Sequence, residues 1–60
     1  ADFDELFIQA QINVHQEALQ VMQRIAQSGA SEEERIIGTL NVPAIRSHLA
    51  MLETIRASRT

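Results

Sequence analysis

The sequence predicts an all-α chain, an antiparallel helical hairpin whose apolar surface is too broad for two helices to cover. Three observations carry this reading. Apolar residues recur at steps of three and four through both halves of the chain. A short Ser28-Gly29-Ala30-Ser31 connection divides those halves, and a helix-start signature follows it directly.

In the first half the repeat runs through Ile8, Ile12, His15, Leu19, Met22 and Ala26, with His15 filling a seam position. A second stripe, Phe7, Val14, Ala18, Val21 and Ile25, lies about 100° around the same helix. Two stripes make a broad face suited to a bundle and unlike a narrow two-stranded seam. Asp2 or Asp4 can cap the start, and Gly29 is expected to take the left-handed conformation that commonly closes a helix. The first helix is therefore placed at about residues 3–27.

The second helix opens at Ser31-Glu32-Glu33-Glu34, an S-x-x-E capping box in which serine and glutamate satisfy backbone N–H groups at the helix start. The acid run is read as a cap, because acids stabilise a helix N-terminus electrostatically. Ile36, Ile37 and Leu40 continue the pattern until Pro43, whose missing N–H is expected to kink or break the helix. Ile45, His48, Leu49, Leu52, Ile55 and Arg56 resume it to about residue 58, so the second helix spans about 32–58. The short connection favours antiparallel pairing. The six glutamines sit mostly opposite the apolar face, as a solvated surface would.

Sixty residues allow one small module, 1–60, and 19 apolar side chains larger than Ala make a marginal core without a partner surface. Without cysteine, neither a disulfide framework nor a Cys-ligated metal centre can staple it. Eight acids against five scattered arginines leave a charge of −3, which argues against nucleic acid as a partner. The uninterrupted apolar runs are far shorter than the roughly 20 residues a transmembrane helix needs. The chain starts Ala1-Asp2-Phe3, with neither Met nor a basic-then-apolar leader, as a processed exported protein or a fragment would.

His15 and His48 carry the chemistry the sequence offers. They stand about 21 Å and 25 Å from the turn at 1.5 Å per residue, so an antiparallel hairpin sets them at nearly one level. Both sit among aliphatic neighbours and are expected to face a shared interior. Three roles stay open: a hydrogen-bonded pair that fixes register, a metal site and a pH switch. Met51, three residues after His48, adds a soft donor, so the candidate metal ligands are His15, His48 and Met51, for a copper-like or other transition-metal ion. Met at helical spacing also serves as core filler. The Glu-x-x-His motif of ferritin-like di-iron sites is absent, with Ile12 and Ile45 where the glutamates would stand. Catalysis is not expected. There is no Cys or Lys nucleophile, Ser47 lies about 100° around the helix from His48, and Gly29 and Gly38 are isolated rather than part of a phosphate loop.

Phe3-Asp4, Phe7-Ile8, Ile12, His15 and Ala18-Leu19, then Gly29, Leu40, Pro43, Ile45 and His48-Leu49, form a pattern. It resembles the C-terminal half of a bacterial family of exported, ferritin-like helical proteins of unknown function, some labelled outer-membrane or secreted proteins. The resemblance implies half of a four-helix bundle in a periplasmic or cell-envelope setting. Family domains are about twice this length, so two further helices are expected, from the missing half of its own domain or from a second copy. A homodimerisation or protein-docking hairpin is the remaining alternative.

Overall fold

The computed structural model describes residues 2–59, one residue short at each end of the expected 1–60 module. It consists of α1 (Phe3–Ser28) and α2 (Glu32–Ser58) folded as an antiparallel hairpin. At 1.5 Å per residue each helix is about 40 Å long, which accounts for the 43 Å long dimension.

Each helix start is tied down by side chains. Asp2 Oδ1 accepts from the Glu5 N–H at 2.8 Å, so Asp2 is the cap, and Asp4 and Glu5 occupy the first turn. Ser31 Oγ accepts from the Glu34 N–H at 3.1 Å, the forward half of the capping box. The return bond is displaced by one residue, since Glu34 Oε2 accepts from the Ala30 N–H at 3.2 Å.

The turn departs from expectation. Gly29 has φ −58° and ψ 145°, an extended and not a left-handed conformation, and no described residue has positive φ. The Gly29 N–H still reaches the Ile25 carbonyl at 2.9 Å, and the chain leaves α1 by opening ψ alone. Space is what demands glycine here: a Cβ would lie 2.7 Å from Ile25 O and 3.1 Å from Glu34 Cβ. The last turn of α1 carries no basic residue, and Arg35 supplies one from α2, donating Nη1 to the Gly29 carbonyl at 2.8 Å.

Pro43 does not break α2, which continues through it to Ser58. Its missing N–H deprives the Thr39 carbonyl of a helical donor. Pro43 and Thr39 are both exposed, so the defect lies toward water. Just upstream, Thr39 Oγ1 donates to the Arg35 carbonyl and Asn41 Nδ2 to the Ile37 carbonyl, both at 2.8 Å. Gly38, Val42, Ile45, Leu49 and Leu52 are buried or half-buried on either side of the proline. Docking of that stripe on α1 outweighs the intrinsic penalty of one interior proline.

The helices lie flush. Asp2 pairs with Arg59 at 3.2 Å, Gln9 Oε1 accepts from Arg56 Nη1 at 3.0 Å, and the His15 and His48 rings are neighbours. Arg56 also bridges Glu53 along its own helix. Nearer the turn the backbones themselves meet. Gly38 is buried, and a Cβ there would fall 2.5 Å from Ala26 N, 2.8 Å from Met22 O and 2.9 Å from Ala26 Cα.

Little else is enclosed. Ile12, 1% exposed, is the one buried large apolar side chain among the described residues, whereas Phe7, Val14 and Val21 of α1 and Ile37, Leu40, Met51 and Ile55 of α2 are exposed. At 100° per residue Phe7, Val14, Val21, Ile37, Met51 and Ile55 lie on one side of the contact seam, whereas Leu40, about 160° from the α2 seam, points away from α1 beside Ile36 and Thr39. The accessible surface of 4475 Å² exceeds the roughly 3,900 Å² of a compact monomer of 6.7 kDa. The opposite side is polar, strapped by Asn13, Gln9, Arg56 and Glu53.

Gly38→Ala sets helix propensity, which favours alanine by about 1 kcal/mol, against a steric conflict with backbone atoms that cannot rotate away. The conflict should prevail, lowering unfolding free energy by about 1–3 kcal/mol. Urea denaturation followed by circular dichroism measures this, and unchanged or raised stability would show that the helices can part at no cost.

Candidate functional site

Two elements build the site: His15 from the middle of α1, and His48 and Met51 on successive turns of α2. The ring centroids of His15 and His48 are 5.7 Å apart with planes at 75°. His15, His48, Met51, Leu52 and Ile55 line one open hollow on the apolar side. The structure thus brings together all three residues singled out from the sequence.

The pair is not, however, enclosed within the hairpin. His15 is half-buried and His48 is exposed. The seam of α2 runs through Gly38, Ile45, Leu49 and Leu52, and His48 sits about 80° off that line. Two helices shield only their mutual seam, so a residue so placed rides on the flank.

One ring nitrogen has a defined state. His15 Nδ1 lies 2.7 Å from the Gln11 carbonyl oxygen, and a carbonyl can only accept. Nδ1 therefore carries the proton, and in the neutral ring Nε2 presents its lone pair. Among the described residues neither nitrogen of His48 has a hydrogen-bond partner. No three His, Cys, Asp or Glu side chains converge among the described residues, and the further donor side chain that lines this hollow is Met51, through its thioether. No helix is long and apolar enough to cross a membrane.

One feature escaped the sequence reading. Gly38 stands exactly four and seven residues before Val42 and Ile45, so extending the Ile45, Leu49, Leu52 stripe backward would have marked it as a contact position.

A family model described as a domain of unknown function, DUF4142, matches residues 1–55. The chain belongs to the DUF4142 family. DUF4142 is a bacterial family of ferritin-like type, and the hairpin observed here is compatible with one helix pair of such a fold. No curated protein and no solved structure matches the chain. The DUF4142 description names no chemistry, so the roles of His15 and His48 must be argued from their geometry.

If the histidines are dispensable for folding, His15→Leu should leave helix content intact. The Gln11 carbonyl keeps its backbone partner, so the change in unfolding free energy should stay within about 1 kcal/mol. A thermal melt checks this, and collapse of the helical signal would make His15 a structural requirement.

Proposed function

We propose that this DUF4142 chain is a non-enzymatic helical module of the bacterial cell envelope, the C-terminal half of a four-helix bundle. The observation that carries the reading is the one-sided apolar face, on which Phe7, Val14, Ile37 and Met51 are each more than half exposed. Isolated exposed apolar residues are ordinary, but a continuous face of them along two helices marks a surface meant to be covered. Two further helices of similar length, from the missing half of the domain or from a second copy, match that face in shape and complete the layer arrangement of a bundle. The envelope setting rests on the resemblance to exported proteins. The absence of a Cys or Lys nucleophile from the sequence supports a non-enzymatic role.

Sedimentation of the purified chain tests the packing half of this reading. The expected result is a self-associated, helical species, because water-exposed isoleucine, valine and methionine on one face drive pairing when no other helices are supplied. Replacing both Val14 and Ile37 with Lys should weaken that association at least tenfold, or about 1.4 kcal/mol, with each hairpin's register kept by Ile12 and Gly38. A well-folded monomer at high micromolar concentration would count against it. Fractionation of cells expressing the tagged full protein tests the location, and recovery in the cytosol would remove the envelope assignment.

A further inference from the structure

We infer that His15, His48 and Met51 form a binding site for a soft monovalent metal ion, of which Cu(I) is the chemical type. An imidazole nitrogen sits about 2.0–2.1 Å from a bound transition metal, which puts the ring centroid about 3.2 Å from the ion. Two such rings with centroids 5.7 Å apart subtend an angle of about 125–130° at a shared ion. That is close to trigonal and wider than a tetrahedral site would set.

The donor set points the same way. Two neutral imidazoles and a thioether supply no negative charge, and no carboxylate or thiolate joins them among the described residues. Soft sulfur selects Cu(I) over hard or borderline dications. A monovalent ion also loses less hydration energy than a dication on entering a hollow whose other walls are Leu52 and Ile55. His15 is already prepared as a ligand. Its Nδ1–H is held by the Gln11 carbonyl, the outer-shell arrangement that fixes tautomer and ring direction in metal-binding histidines and leaves Nε2 to coordinate. His48 and Met51 are exposed and can turn toward the ion. All three donors belong to one hairpin, so the inference does not depend on which helices cover the apolar face.

The test is titration of the purified protein with Cu(I), without oxygen, against a chromophoric Cu(I) chelator. One ion per chain is expected. His48→Ala should lower affinity by about a hundredfold or more, beyond the range seen for outer-shell changes. Met51→Leu should weaken Cu(I) while leaving any weaker Zn(II) binding unchanged, and should remove sulfur from the X-ray absorption signature. Both residues are exposed, so circular dichroism of the variants should match the parent. Independently of any variant, Ag(I) added to the unmodified protein should shift the His15 and His48 ring signals and the Met51 methyl signal in NMR spectra, and no other methyl group to the same extent. Failure of the parent protein to take Cu(I) from the chelator, one ion per two chains, or Ag(I) shifts centred elsewhere would each overturn the assignment.

Discussion

Backbone contact at Gly38 governs how near α2 can lie to α1. With hydrogen in place of a side chain, α2 comes within contact of the Met22 carbonyl and the Ala26 backbone. The Asp2–Arg59 ion pair at the far end and the Gln9–Arg56 hydrogen bond between them hold the same flush alignment. These exposed polar links contribute little energy individually. Their value lies in agreeing with the alignment that the close approach imposes, and alignment decides what chemistry can exist here. A slip of one helical turn would displace His48 about 5 Å along the axis relative to His15 and separate the rings.

The same geometry explains why the hairpin keeps so little inside. Two cylinders in contact hide one seam each, and Phe7, Val14 and Val21 of the second α1 stripe and the Ile37, Met51, Ile55 flank of α2 stay in water. The histidines sit at the border of these zones. His15 is half-covered by α2, while His48 stands on the flank, so the hollow they share is apolar in its walls yet open. In a longer assembly of helices that border position would become an interior one, where an imidazole pair must find donors, acceptors or an ion.

Much of this fold could be read from residue order. The steps from Ile8 to Ala26 and from Ile45 to Leu52 announce two helices, and Ser31 with Glu34 marks the second start. Where reading and structure part, a tertiary cause is visible. Of the kink or break expected at Pro43, the break does not occur, because local chemistry alone cannot weigh one lost hydrogen bond against a docked stripe on both sides of it. Gly29 was expected to be left-handed because that is glycine's common use at a helix end, whereas here its lack of a side chain makes room for Glu34 and Arg35. The level shared by His15 and His48 follows from counting residues to the turn. Their exposure does not, because periodicity says which residues share a face but not how many neighbours that face has.

The ion pair between Asp2 and Arg59 carries a topological meaning as well. Asp2 and Arg59 sit at one pole of the hairpin, about 40 Å of helix away from the turn. Traced as a path, residues 2–59 return close to their starting point, and a salt bridge spans the opening. The contacts at Gly38, Ile12 and the histidines lie on the long sides, so they do not depend on how that opening is spanned.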